Sequence, residues 1–448
     1  MAFFRRLGAL RNQAAVLIAF AAAASAQDLH DQSSPQDPVQ RELERLRARV
    51  EALERDGSKP ADKTPGDAID LSGAELPSIV PSHAEGISAR PWYENVDLSG
   101  YGAFGYYDSG GTGTVHDGAF LVKEASLFID APVWKNVSLF FEIWVTHYLF
   151  DSGGAFDIGE LYVKFSDLFG TGDGAHLGLK LGRIDIPFGE DYLRQDASDD
   201  PLISLSAADV WAIEEGAAAY GRAGALHWVL AIANGNIDIG GDDGPSKLLC
   251  AKLYGDAHRD LYLSASVLES GRTRASTVWL GRGLITPVGL FAPSAGGTSP
   301  NDEVESTLWE VDAHIGAARR GSLRLQFGEA MIDDRASAFD RNLLWFSAEP
   351  AMRLSDKLSL ILRYSQVATD DADEGYSFQG DVFGSGDALG YDMHRMERLA
   401  CGILWTINPH AKLKLELGHD WIDLIAASPF DAENDERLYG AVEVVASF

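Results

Sequence analysis

The chain has 448 residues, a formal net charge of −30 and 46% hydrophobic residues. Because so acidic a chain is repelled by nucleic-acid phosphates and by anionic membrane surfaces, neither is expected as a partner. Beyond the N-terminus there is no run of about 18 apolar residues, which excludes a helical membrane span there. These properties leave a large soluble protein or a β-barrel whose apolar residues alternate with polar ones.

The first 26 residues have the composition of a secretory signal peptide. Arg5, Arg6 and Arg11 precede a short apolar segment, which ends in a small-residue cleavage sequence, Ala24-Ser25-Ala26. An uncleaved membrane anchor is the alternative, but the apolar run is too short to cross a bilayer comfortably. Residues 1–26 are therefore expected to be removed on export.

Residues 27–55 are predicted to form a short α-helical coiled-coil segment. Val39, Leu43, Leu46, Val50 and Leu53 follow the heptad spacing of a coiled-coil seam. So short a helix is marginal alone, and an oligomeric barrel would help by holding copies together. The alternative is a lone amphipathic helix at the barrel rim. Residues 56–95 follow as a linker rich in Pro and Gly.

From residue 96 to residue 448 the apolar positions recur with the period of a β-strand. A sheet with one apolar and one polar face has this alternation, whereas a helical stripe does not. Sixteen strands are predicted, near 96–107, 118–131, 135–148, 157–166, 175–185, 214–222, 224–234, 247–255, 259–269, 304–317, 320–331, 340–353, 357–369, 394–408, 411–423 and 436–448.

The connections between these strands alternate between short and long around the whole set. Periplasmic turns and extracellular loops alternate in this way in outer-membrane barrels, whereas a two-layer soluble sandwich has no reason to show it. The expected fold is therefore all-β: a 16-stranded antiparallel transmembrane β-barrel, preceded by the short N-terminal coiled-coil segment.

The final predicted strand, 436–448, has two distinct faces. Leu438, Val442 and Phe448 fall on one face, and Tyr439 and Glu443 fall on the other. A terminal aromatic residue in phase with the apolar face is typical of the strand that closes an outer-membrane barrel.

The connection after the fifth strand, residues 186–213, is the most informative loop. It combines apolar residues with many carboxylates, and a loop with its own apolar residues needs a surface to pack on. Folded into the lumen, it would place its charges at a constriction. The predicted constriction residues are Arg183, Asp185, Glu190, Asp191, Arg194, Asp196, Asp199 and Asp200. The basic residues predicted to line the lumen are Lys164, Lys180, Lys252, Arg324, Arg363, Arg398, Lys412 and Lys414.

The stretch Gly-Arg-x-x-x-Pro-Phe-Gly at 182–189, with the signal peptide, the heptad segment and the barrel ending in Phe448, resembles the phosphate-selective porin O and P family. The resemblance implies a trimeric outer-membrane channel for small solutes, narrowed by the loop after strand five. Anion selectivity does not carry over, because lumen-phase acids such as Glu142, Asp312 and Glu443 are about as numerous as the bases. The acidic loop instead favours weak cation preference or near-neutral selectivity.

The rival hypothesis is a ligand-capturing or hydrolytic outer-membrane barrel. Hydrolysis would need a Ser with an in-phase His at the membrane boundary, and no such pair is evident. A TonB-type transporter would need a globular plug, for which residues 27–95 are too few and too rich in Pro. The Asp-rich segments 238–243, 370–373 and 431–435 lack regular Ca²⁺-loop spacing and are interpreted as solvated tips. The sequence predicts no catalytic residues, cofactor or metal, and its expected partners are outer-membrane lipid, small solutes or ions, and further copies of the chain.

Overall fold

The computed structural model describes residues 95–110, 115, 117–147, 157–168, 176–194, 196–210, 212–234, 247–274, 303–316, 321–334, 341–369, 376–378, 391–424 and 436–448. The predicted signal peptide, coiled-coil segment and linker up to residue 94 lie outside these ranges, as do the Asp-rich segments. In the described ranges, no helix is long and apolar enough to span a membrane.

The described residues form one large β-sheet. Its strands are β1 (Asp97–Asp108), β2 (Ala119–Trp134), β3 (Val137–His147), β4 (Asp157–Phe165), β5 (His176–Asp185), β6 (Ile213–Ala223), β7 (Leu226–Ala233), β8 (Leu248–His258), β9 (Leu261–Arg274), β10 (Glu303–Ile315), β11 (Gly321–Asp334), β12 (Arg341–Arg353), β13 (Leu358–Thr369), β14 (Tyr376–Phe378), β15 (Tyr391–Asn408), β16 (Ala411–Leu424) and β17 (Glu436–Ser447).

The sheet is a closed barrel of sixteen antiparallel strands. Strand β1 pairs with β2 on one side and with β17 on the other, which leaves no free edge. The three-residue β14 pairs only with β15, while β13 pairs directly with β15, so β14 is a side strand beside the ring. All sixteen predicted strands are confirmed, and β14 is the addition that the periodicity did not predict.

The two faces of β17 show how the sequence pattern builds the wall. Leu438 and Phe448 are 68% and 66% exposed on the outside, whereas Tyr439 and Glu443 are buried inside. The same alternation gives the other strands exposed leucine, valine and aromatic side chains on their outer faces. A lipid bilayer requires both features of this arrangement. The closed sheet pairs the backbone polar groups of the strands with one another, and the apolar exterior faces the lipid.

Short turns join the strands at one end of the barrel. The turn between β2 and β3 contains Asn136 with a φ of 61°, a left-handed conformation that Asn tolerates better than most residues. The turn between β6 and β7 uses Gly224 at a φ of 65°. The β1–β2 connection and the longer β5–β6 connection lie at the opposite end, as the sequence predicted for these connections.

The apolar core lies inside the barrel, where the segment from Ile186 to Ala212 folds back into the lumen. Ile186 and Phe188 are almost completely buried, and the Phe188 ring makes an edge contact with Trp345 on β12 at 6.5 Å between centroids. Further along the loop, Leu202 packs with Ile361 and Ala400. The apolar residues of the loop thus pack on the lumenal wall, as the sequence predicted.

Candidate functional site: the lumenal loop

The lumenal loop, residues 186–212, begins with a sharp change of direction at Gly189. Its φ of 62° favours glycine, and a Cβ here would lie 2.0 Å from Glu310 Oε1 on β10. The Gly189 amide donates to Ser266 Oγ at 2.9 Å, and its carbonyl accepts from Lys252 Nζ on β8. The positive φ and the closeness of Glu310 explain why the 182–189 stretch ends in glycine.

Basic side chains of the wall hold the loop by its backbone carbonyls. Lys414 Nζ donates to the carbonyls of Ala197 (2.7 Å) and Leu202 (3.2 Å). Arg398 Nη1 donates to Leu205 O at 2.7 Å. The same role falls to Arg363, Lys412 and Lys123, which donate to the carbonyls of Ser204, Ser198 and Ile203. These hydrogen bonds fix the loop across the lumen.

Four of the basic residues predicted to line the lumen are therefore buried beneath the loop. Lys252, Arg363, Arg398 and Lys414 are at most 3% exposed. Their charged ends point at loop carbonyls and wall carboxylates, and they do not form an open ladder along the pore.

Carboxylates of the wall hold the loop by its amides. Glu416 Oε2 accepts from the amides of Ile203 (2.5 Å) and Ser204 (3.1 Å), and Glu124 Oε1 accepts from Ala197 N (2.5 Å). The sequence pattern did not predict an anchoring role for Glu416 or Glu124. Nothing in the sequence pairs these positions with a segment so far away along the chain.

A buried charge network supports the anchoring residues from behind. Arg398 makes a bidentate contact with Asp420 at 2.8 and 2.9 Å, and Arg437 adds a third contact at 2.6 Å. Lys414 Nζ also lies 2.8 Å from Glu443 Oε1. Buried pairs of this kind are geometrically specific, and removing one partner is strongly destabilising because the other charge is left unpaired.

A cavity of about 530 Å³ lies between the loop and the short-turn ends of β8 to β13. Its acidic lining residues are Glu190, Asp191, Asp199, Asp256, Asp312 and Glu349, and its basic ones are Arg194, Arg324 and Arg363, with His314 beside them. The cavity therefore brings loop carboxylates together with carboxylates and arginines of the wall.

Ion pairs bridge the loop and the wall inside this cavity. Arg194 of the loop lies 2.8 Å from Glu349 and 3.3 Å from Asp200, and Asp200 lies 3.4 Å from Arg363. Although burial opposes ionisation of Asp200, Arg363 and Arg194 hold the pKa of its carboxyl below the usual value. Burial raises the pKa of Asp191, to which Gln326 donates at 3.0 Å.

A second loop contact lies at Asp196, on the opposite side of the loop from the cavity residues. The Tyr101 hydroxyl donates to Asp196 Oδ1 at 2.9 Å. Burial, followed by the nearby charges of Glu124 and Glu142, raises the pKa of Asp196 to about 8. This carboxyl is therefore protonated in neutral water, unlike an ordinary exposed aspartate.

Four other predicted site residues lie away from the cavity. Arg183 is on β5, in phase with the exposed Leu181, and its guanidinium lies 2.9 Å from Glu215 on β6. Asp185 ends the same strand. Lys164 and Lys180 lie opposite each other on β4 and β5.

Neither a protein-family model nor a curated protein matches the chain. Among solved structures it is similar to the outer-membrane channel DcaP of Acinetobacter baumannii, with a TM-score of 0.54 and 13% identity over 79% of this chain and 97% of that one. It is also similar to the anion-selective porin from Comamonas acidovorans, with a TM-score of 0.51 and 12% identity over 79% of this chain and 99% of that one.

The chain has the fold of the outer-membrane porins. A third similar structure, outer-membrane OmpT of Vibrio cholerae, has a TM-score of 0.50 and 11% identity over 79% of this chain and 97% of that one. At these identities the likeness concerns the fold alone. In this chain the porin fold encloses a lumen that is crossed by the loop following β5. The role of that loop therefore follows from the residues of this chain and not from the similar structures.

Proposed function

We propose that this protein is a passive diffusion channel of the bacterial outer membrane for small hydrophilic solutes or ions. The observation that carries the proposal is the lumenal loop, which is fixed inside a closed barrel with an apolar exterior. Such a loop narrows a pore and places charges at the narrow point. Under this proposal the chain has no catalytic activity, and the hydrolytic or ligand-capturing barrel becomes the alternative to be tested.

The charges around the cavity support weak cation preference or near-neutral selectivity. Six carboxylates and three arginines line the cavity, and several of these pair with one another. In a partly desolvated pore, unit charges a few Å apart interact by about 4 kcal/mol at an effective dielectric near 20. The unbalanced carboxylates therefore favour cations, while the ion pairs reduce the size of the preference.

The narrower assignment to the phosphate-selective porin O and P family stays part of the proposal. Its support is the 182–189 stretch, whose Gly189 makes the turn into the lumen. Against a family-like anion preference stands the burial of Lys252, Arg363, Arg398 and Lys414 under the loop. A secreted precursor, a coiled-coil segment and a homotrimer complete the proposal.

Planar-bilayer recording of the purified protein tests the function. Stepwise ohmic currents are expected, with a reversal potential near zero or slightly cation-selective under a salt gradient. Replacing Glu190, Asp191, Asp199 and Asp200 by Gln or Asn should move the reversal potential toward anions, whereas Asp196, which already holds a proton at neutral pH, is left unchanged. Neutralising Asp97 on β1 and Asp423 on β16, two exposed carboxylates that do not line the cavity, is the matched control. Absence of current steps would contradict a channel, and an unmoved reversal potential would contradict a constriction at the loop.

A further inference from the structure

A row of aromatic side chains crosses the lumenal wall on four neighbouring strands. The ring centroids of Tyr101 and Phe128 are 6.0 Å apart, those of Phe128 and Phe140 are 6.2 Å apart, and those of Phe140 and Tyr162 are 5.0 Å apart. Adjacent rings lie within 29° of parallel. Phe128 is in phase with Glu124, whose carboxylate holds the loop, and the row therefore faces the lumen.

The middle of this row is not fully covered. Phe128 and Phe140 are half-buried, and Tyr162 is buried. Covering apolar ring surface that faces an aqueous lumen with another apolar group lowers the free energy. The wall therefore offers a contact for a solute that has apolar area of its own.

Two lysines end the aromatic row. Lys180 Nζ lies 4.2 Å from the centroid of the Tyr162 ring and 3.7 Å from Glu160. Lys164 lies directly opposite Lys180 in the β4–β5 ladder, an arrangement that is unfavourable for like charges. Glu160 pairs with Lys180, and Asp130 and Asp185 also lie near the Tyr162 hydroxyl. Within the described ranges Lys164 makes no ion pair of its own, so its ammonium group can pair with the carboxylate of a solute.

These lysines differ from those that hold the loop. Lys252 and Lys414 are buried and donate to loop carbonyls. Within the described ranges, Lys164 and Lys180 make no hydrogen bond to the loop. Strands β4 and β5 also lie half-way round the ring from β12 and β13, which carry Glu349 and Arg363 of the acidic cavity. The aromatic–lysine wall is thus separate from the acidic cavity, and only Tyr101, at the other end of the row, reaches the loop, at Asp196.

We infer that this wall, formed by Phe128, Phe140, Tyr162, Lys164 and Lys180, binds solutes that join an aromatic ring to a carboxylate, as benzoate does. The ring would cover the exposed edges of the phenylalanines, while the carboxylate would accept hydrogen bonds from the two ammonium groups. A small anion without a ring would gain only a solvated charge contact, which is weak. The inference deepens the proposed function and rests on it, because passage through the lumen is what brings solutes to the wall.

The test is isothermal titration calorimetry of the full-length protein in detergent. Benzoate should bind about tenfold more tightly than acetate, which has the same charge and no ring, because an aromatic contact contributes about one tenfold step. Benzyl alcohol and inorganic phosphate, which lack the charge and the ring respectively, should also bind more weakly than benzoate. Phosphate binding tighter than benzoate would overturn the inference.

Variants locate the site on the wall. Phe140→Leu should weaken benzoate several-fold and leave acetate unchanged, whereas Lys164→Gln should weaken both anions and leave benzyl alcohol unchanged. Arg259→Gln, in a short turn and 84% exposed at its side chain, is the control and should change nothing. Unaltered benzoate affinity in both wall variants, with their heat-modifiable gel mobility intact, would overturn the inference.

The same samples separate this inference from the proposed function. Current steps in a bilayer together with equal affinities for benzoate and acetate would refute the aromatic–lysine site and leave the channel standing. Selective benzoate binding without any current would refute the channel and support the ligand-capturing alternative.

Discussion

Replacing Asp196 by asparagine should remove a pH dependence from the docking of the lumenal loop. Asp196 lies against Tyr101, next to the amide of Ala197 that Glu124 holds. Burial, with Glu124 and Glu142 as the nearest charges, raises the pKa of the docked carboxyl from 3.8 to about 8. The docked loop therefore binds a proton that the undocked loop releases.

The magnitude follows from that difference in pKa. One pKa unit corresponds to about 1.4 kcal/mol, so a shift from 3.8 to about 8 corresponds to at most about 6 kcal/mol. Because the docked pKa is raised, this contribution to docking is fully present below pH 3.8 and is lost as the pH rises to about 8. At pH 7 roughly 4 kcal/mol of it is gone, and the other anchors keep the loop in place.

Single-channel recording between pH 4 and pH 9 measures the effect. The wild-type channel should be quiet at acid pH and should show noisier, larger steps above pH 8, when the ionised carboxylate repels Glu124. Asp196→Asn should stay quiet throughout. Asp199→Asn, which changes an exposed carboxylate of the same turn, should keep the wild-type profile. A full pH dependence in Asp196→Asn would refute the reasoning.

Three further predictions concern topology, the buried network and the N-terminal segment. A protease site inserted at Asp117, in the β1–β2 connection, should be cut on intact cells, and one inserted at Arg259, in a short turn, should not. The reverse cleavage pattern would mean that the barrel has the opposite orientation in the membrane. Asp420→Asn should lower barrel stability by about 3–5 kcal/mol, because it leaves Arg398 and Arg437 without their carboxylate; a heat-modifiability midpoint equal to that of Lys357→Gln, an exposed control, would show the network to be dispensable. Deleting residues 39–55 should leave heat-modifiable barrel monomers but weaken the trimer by roughly a few kcal/mol; loss of the barrel itself would mean that the segment is needed for folding.

The strands could be predicted because the alternation of apolar and polar residues within each strand shows which residues lie on its two faces. In the run from Lys412 to Leu417, three charged residues alternate with three leucines, and such a local pattern needs no distant partner. The short strand β14 was not predicted because its three residues, Tyr376–Phe378, are too few to show an alternating pattern.

The roles of the lumenal charges could not be predicted, because they depend on contacts between distant segments. The alternation within a strand shows only which residues face the lumen. By that criterion Lys252 and Lys414 could not be distinguished from Lys164 and Lys180. What separates them is the path of the loop, since Lys414 meets Ala197, which is 217 residues earlier in the chain. The aromatic row is likewise visible only once β1 to β4 are placed side by side.

The lumenal loop as the constriction is tested most directly by replacing residues 191–206 with a short Gly-Ser linker and recording single-channel conductance. Removing the segment that Arg363, Arg398 and Lys414 hold across the lumen should raise the conductance several-fold while the protein remains a heat-modifiable barrel. An unchanged conductance in a folded barrel would contradict the account, because the narrow point would then lie elsewhere.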